Sequence, residues 1–220
     1  MERTVATRER LMRLMFTEHV RGNLRGIWVR NPPGVSPYVW AANHHSWWDG
    51  FVAGAYLWAR GQDAALVMDR AQLENFKFFR HVGVVGAHEP RRALAALAAG
   101  RTLVVYPEGK LLPPAGLGPL QRGAVWLAQR AGVPVVPVAV RVVMRGQQSP
   151  EAYLDFGEPL LPATQDPDSL RVALSQQLAG LDQMLADNDC EQPLPGFAQV
   201  VAGRPSTNER IASLSQRLSR

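Results

Sequence analysis

The chain has 220 residues, enough for one domain with a full core and marginal for two, and its 46% hydrophobic and 20% charged content excludes a disordered protein. A single cysteine, Cys190, excludes an internal disulfide framework or a cysteine-rich metal site and fits a reducing compartment. The formal charge of +5 favours anionic partners without choosing among phosphate head groups, coenzyme A, an acidic carrier protein or nucleic acid.

In chain order, residues 5–27 place Val5, Leu11, Leu14, Met15, Phe16, Val20, Leu24 and Ile27 at mostly helical spacing, with arginines in the gaps. A basic amphipathic helix over residues 1–24 either lies in a bilayer interface or caps the core of the domain. Its charges (Arg3, Arg8, Arg10, Arg13) are spread along it with no apolar block behind them, unlike a signal peptide. No stretch approaches the roughly 20 apolar residues of a membrane-spanning helix. The expected location is the cytoplasm, peripherally at the inner face of the membrane.

Ile27-Trp28-Val29 reads as a short strand closed by the Asn31-Pro32-Pro33-Gly34 turn, and residues 38–42 as a buried strand running into a histidine pair. From there strands and helices alternate. Helices are expected over residues 49–60, 73–81, 91–99, 120–131 and 169–186, and strands over 64–68, 82–85, 102–106, 133–143 and 153–156. This alternation indicates a single α/β domain, its largely parallel sheet flanked by helices. The main body of the domain is expected over residues 25–189. Residues 190–208, rich in Pro, Gly and Gln, read as a surface segment, and residues 190–220 as an extension ending in a short helix with an Ile211-Leu214-Leu218 stripe.

Two polar clusters stand at strand ends, where an α/β sheet presents its ligand-binding edge. The first is Asn43-His44-His45-Ser46-Trp47-Trp48-Asp49. Its spacing lets a turn bring the Asp49 carboxylate to one ring nitrogen of His44. That contact would fix the tautomer and leave the other nitrogen as a general base, work suited to a group whose unperturbed pKa lies near ambient pH. Two histidines and an aspartate are also legitimate zinc ligands, but adjacent histidines point apart and the usual spaced pairs are absent, so no metal is expected. The second cluster is Tyr106-Pro107-Glu108-Gly109-Lys110, offering a carboxylate, a phosphate-seeking ammonium and a glycine that permits close backbone approach. Taken alone, it is also what a surface loop looks like.

Together the clusters resemble the glycerol-phosphate and lysophosphatidic acid acyltransferases. Asn43, His44, Ser46 and Asp49 match the family's Asn-His-x-Ser-x-x-Asp block, and Tyr106 to Gly109 stand where it has Phe-Pro-Glu-Gly. Leu120-Gln121-Arg122-Gly123-Ala124 is similar to the family's Phe-Lys-x-Gly-Ala helix start. Val133-Pro134-Val135-Val136-Pro137-Val138 matches its apolar Val-Pro run. The resemblance implies an O-acyltransferase in which His44, oriented by Asp49, deprotonates an acceptor hydroxyl that attacks an acyl-coenzyme A or acyl-carrier-protein thioester. Ser46 would support the loop, with no covalent acyl-enzyme. Substrate contacts are expected from Ser46, Glu108, Gly109, Lys110, Arg91, Arg92 and Arg122. Backbone N–H groups near Gly109 are candidates for the developing oxyanion. A lipid acceptor, the acyl thioester and a membrane surface are the expected partners, and no cofactor is expected.

The sequence departs from the family in two places. The third block normally continues Thr-Arg, but here reads Lys110-Leu111-Leu112; the second carries Glu89 where an arginine is expected, with Arg91 and Arg92 just beyond. Either Lys110 and that arginine pair take over phosphate binding, or the acceptor carries no phosphate. Trp47 and Trp48 could floor an acyl channel, sit at an interface or pack in the core. Phe76, Phe78 and Phe79 could dip into lipid or pack internally. A thioesterase or lipid ester hydrolase could use the same His and Asp, although no Gly-x-Ser-x-Gly nucleophile elbow occurs. A basic binding module is the other class considered; its nucleic-acid form is disfavoured because no aromatic stacking platform interleaves the basic residues.

Overall fold

The computed structural model describes residues 2–34 and 36–218; of the positions invoked above, the side chains of Arg3, Val5, Leu214 and Leu218 lie outside the described residues. Helix α1 (Glu2–Asn23) leads into β1 (Gly26–Arg30) and β2 (Val39–Ala42). Then follow α2 (Asp49–Ala59), β3 (Ala64–Met68), α3 (Arg70–Asn75), a 3₁₀ segment (Lys77–Val82), β4 (Val84–Gly86), α4 (Pro90–Ala98) and β5 (Thr102–Val105). The chain continues through α5 (Gly123–Ala131), β6 (Val135–Val143), β7 (Glu151–Phe156), α6 (Pro167–Asp187), β8 (Ala198–Ala202) and α7 (Thr207–Leu218). The strands form one sheet in the order β4-β3-β5-β2-β6-β7-β1-β8, parallel throughout except for the β6–β7 and β1–β8 pairs. The α/β architecture expected from the alternating pattern is the one observed.

Strand β2 shows why its sequence is apolar at every position. Trp40 and Ala42 enter the core under α1 and α2, while Val39 and Ala41 enter the core under α4 and α5. With both faces covered, period-two alternation gives way to a continuous buried run. On the same face as α4 and α5, α6 packs Leu178 and Leu181 against Ala139 and Tyr153.

Two elements differ from expectation. The helix expected over residues 73–81 is divided: α3 stops at Asn75, Phe76 leaves the helical region (φ −122°, ψ 55°), and a 3₁₀ segment follows. Packing decides this, because the break turns Phe79 onto Phe16 of α1, with ring centroids 5.5 Å apart. Residues 198–202, read as part of a surface segment, instead form β8, an antiparallel edge strand on β1. Four of its five residues are not buried, so it lacks the apolar signal that marks the interior strands. Arg25 secures this end of the chain by donating to Glu151 at 2.6 Å and to Glu209 of α7 at 2.7 Å.

Candidate active site

Where β2 ends, Asn43 continues its pairing with β6 through the side chain. Asn43 Nδ2 donates to Val140 O at 3.0 Å and its Oδ1 accepts from Val140 N at 2.8 Å. The buried amide thus satisfies one backbone donor and one acceptor that the departing chain would leave unpaired. The freed backbone turns, and Asp49, first residue of α2, closes the turn. One oxygen, Oδ2, accepts from the backbone N–H of His45 and of Ser46, both at 2.9 Å. The same oxygen lies 2.9 Å from His44 Nδ1. A carboxylate can only accept, so Nδ1 carries the proton and the neutral ring presents the lone pair of Nε2. Ser46 Oγ accepts from Trp48 N at 3.2 Å and serves the turn.

The second cluster meets the first from β5. Tyr106 stacks on His44, centroids 4.4 Å apart and planes 24° off parallel. Gly109 takes φ +72°, a left-handed conformation that suits glycine, so the chain can fold back after Pro107 and Glu108. Glu108, expected from sequence as a substrate contact, has a carboxylate that is buried and already engaged by protein donors. Oε2 accepts from His44 N at 2.6 Å, and Oε1 accepts from Gly118 N at 2.7 Å and faces His45 Nε2 at 3.3 Å. A buried carboxylate needs this many donors to offset its lost hydration, and meeting that need makes it a buttress between two loops.

A cavity of about 830 Å³ opens beside His44. One wall is α2, through Gly50, Phe51, Gly54 and Trp58; the opposite wall is β3 and β5, and Phe76, Phe78 and Phe79 line another side. Its lining is chiefly apolar, with His44, Gly109 and Lys110 at one end. Asp49 stands behind His44, off the lining. The expected arginines are elsewhere. Arg91 and Arg92 are exposed on the first turn of α4, and exposed Arg122 lies between Gln121 and Gly123, which do line the cavity. Glu89 is bound by Arg80 at 2.9 Å and accepts from Gly86 N at 2.8 Å, contacts that pull its carboxyl down to about 2 and keep it charged at neutral pH. Its carboxylate satisfies the chain turning from β4 into α4. Among the described residues no group of three His, Cys, Asp or Glu could hold a metal ion.

Sequence reasoning passed over His45, Arg141 and Asp182. His45 occupies a variable position of its motif; its ring meets Arg141 on β6 and Glu108 after β5, and Arg141 in turn meets Asp182 on α6, so no local pattern reveals them.

Comparison with known proteins bears on the family and the fold. A family model described as Acyltransferase matches residues 29–141, more than half of the chain. Among solved structures, the fold is similar to the crystal structure of the 1-acyl-sn-glycerophosphate (LPA) acyltransferase PlsC from Thermotoga maritima. The TM-score is 0.60 and the identity 19%, over 84% of this chain and 81% of that one. No curated protein matches the chain. With the matched span running from β1 to β6, through both polar clusters, the chain belongs to the acyltransferase family.

Proposed function

We propose that this protein moves a fatty acyl group from an acyl-coenzyme A or acyl-carrier-protein thioester to a hydroxyl of a lipid acceptor, with His44 as general base oriented by Asp49. The observation that carries this reading is the 2.9 Å contact of His44 Nδ1 with buried Asp49, beside a chiefly apolar cavity of about 830 Å³ that His44 lines. His44 Nε2 takes the acceptor proton as its oxygen attacks the thioester carbonyl. The tetrahedral adduct then expels the thiolate, which recovers the proton from the imidazolium. Asp49 stabilises that imidazolium without taking its proton. Residues 25–189 hold the acyltransferase unit in this reading, with residues 1–24 toward the membrane and residues 190–220 completing the sheet edge.

A second reading concerns the acceptor. Lysophosphatidic acid, the substrate in the name of the similar Thermotoga maritima protein, would bring a phosphate beside the reacting hydroxyl. Arg91, Arg92 and Arg122 do not line the cavity, which leaves Lys110 as its cation and Asp69 as its anion among the described residues. That balance favours a lipid alcohol without a phosphate monoester.

The test is mass spectrometry of products after offering acyl-coenzyme A with a mixture of lysophospholipids and neutral lipid alcohols. An acylated acceptor is expected, and thiol release at full rate without any acceptor would mean a hydrolase instead. His44→Ala should lower the rate about 10²- to 10⁴-fold with the fold intact. A His44→Ala protein near wild-type activity sinks the mechanism.

A further inference from the structure

His45 stands beside the proposed base, and the reaction as written gives it no part. Its side chain is 3% exposed and both ring nitrogens are engaged. Nδ1 lies 2.5 Å from Arg141 Nη1, a group that can only donate, so Nδ1 accepts and the ring proton sits on Nε2. Nε2–H then faces Glu108 Oε1 at 3.3 Å. A neutral imidazole is held in one tautomer between a guanidinium and a carboxylate.

Arg141 is itself anchored. On β6 and buried, it grips Asp182 of α6 with a two-pronged contact, Nε to Oδ1 at 2.6 Å and Nη2 to Oδ2 at 2.7 Å. Nη2 also donates to Ala115 O at 2.9 Å, in the loop after β5. A continuous chain of hydrogen bonds therefore runs from α6 through Arg141, His45 and Glu108 to the backbone N–H of His44, the last link being 2.6 Å. Every link depends on side chains outside the four fixed positions of the first motif, since the last one takes only the backbone of His44.

We propose that Arg141, anchored by Asp182 and acting through His45, is a positioning residue for the reaction. It commits His45 to donate to Glu108, and Glu108 then holds both the backbone at His44 and, through Gly118, the loop that carries Lys110 on the cavity wall. This rests on the reading of His44 as the base. If packing alone mattered at position 45, any side chain of similar volume would serve. The relay instead demands hydrogen-bonding atoms at set places. Gln can set an amide N–H near the place of Nε2 and keep the Glu108 contact, whereas Leu fills the space and bonds neither partner.

The experiment uses the full chain. Turnover and KM are measured for His45→Gln, His45→Leu, Arg141→Lys and Asp182→Asn, each with its melting midpoint. Long-range ¹H–¹⁵N NMR of ¹⁵N-histidine-labelled protein reads the ring tautomers, with five histidines to assign. Asp182 is 43% exposed, so its replacement by Asn does not threaten the core. The relay predicts an Nε2–H tautomer for His45 in the wild type. It also predicts turnover about tenfold lower in His45→Leu and Asp182→Asn at unchanged KM, with His45→Gln recovering most of the loss. Equal turnover for the Gln and Leu variants, wild-type turnover for Asp182→Asn, an Nδ1–H tautomer, or losses that simply follow the melting midpoints would each overturn it. Full activity in His44→Ala would sink the base assignment yet leave the tautomer measurement standing, so the two failures are distinguishable.

Discussion

Tyr106 sets a phenol where the family's block has a phenylalanine. Its ring does the work of a phenylalanine, stacking on His44 and packing against the core under α2. Its hydroxyl is enclosed and has no hydrogen-bond partner among the described residues. Burial, reinforced by the nearby charge of Asp49, raises its pKa well above the ordinary tyrosine value, so it stays a neutral O–H at any assay pH. An enclosed hydroxyl without a partner costs about 1–3 kcal/mol. Tyr106→Phe is therefore expected to raise the stability read by urea unfolding by an amount of that order, with the stacking on His44 retained. A lower urea midpoint would show that the hydroxyl is bonded in solution. At this scale the motif was legible where partners are close in sequence: His44 and Asp49 meet within one turn. The burial of Glu108 was not legible, because its partners, His44 and Gly118, come from separate loops.

Among the elements, α2 carries the clearest trace of function in its composition. Gly50, Gly54 and Trp58 recur every four residues and all line the cavity. Glycine inside a helix costs about 1 kcal/mol relative to alanine, so Gly54 in the middle of α2 calls for a compensating use. Here the missing side chains leave room between the helix and β3, and Trp58 bounds that room. A Cβ added at Gly54 would sit 3.0 Å from the Trp58 indole, forcing that ring to shift into or along the cavity. Gly54→Leu is expected to shorten the preferred acyl chain, read as relative rates across a series of acyl-coenzyme A chain lengths. An unchanged preference would place the acyl chain elsewhere. The division of α3 from the 3₁₀ segment was not legible, because the aromatic contacts with α1 that decide it lie across the fold.

At the scale of the whole molecule, α1 caps the core with one face and leaves apolar side chains exposed on the other. Met12, Phe16, Val20 and Leu24 face the protein, with Val20 and Leu24 fully buried, while Leu11, Leu14 and Met15 are exposed. Exposed Trp47, Phe76, Phe78 and Leu111 stand on or beside the mouth of the cavity. No helix of the described residues is long and apolar enough to cross a membrane. An apolar outer face with arginines beside it suits a surface that lies on lipid near the acceptor's entry. Deleting residues 1–24 would uncover core side chains, so the sounder test keeps the helix. Leu11→Glu, Leu14→Glu and Met15→Glu together should weaken binding to anionic phospholipid vesicles at least about tenfold, given 1.5–3 kcal/mol for each apolar side chain removed from water. The melting midpoint should hold; undiminished vesicle binding would count against this face as the lipid contact.

The sequence by itself determined the α/β class, most of its elements and the turn that joins His44 to Asp49. Those rest on hydrophobic periodicity and on contacts within a few residues, both of which are written locally in the chain. Only the tertiary structure decided that residues 198–202 close the sheet edge, that Glu108 faces inward, that Arg91, Arg92 and Arg122 leave the cavity to Lys110, and that His45 is clasped by Arg141. The run from Asn43 to Asp49 makes its own turn. What holds that turn in place arrives from β5, β6 and α6, and which side chain a buried carboxylate or guanidinium meets is settled by packing across the sheet, not by spacing along the chain.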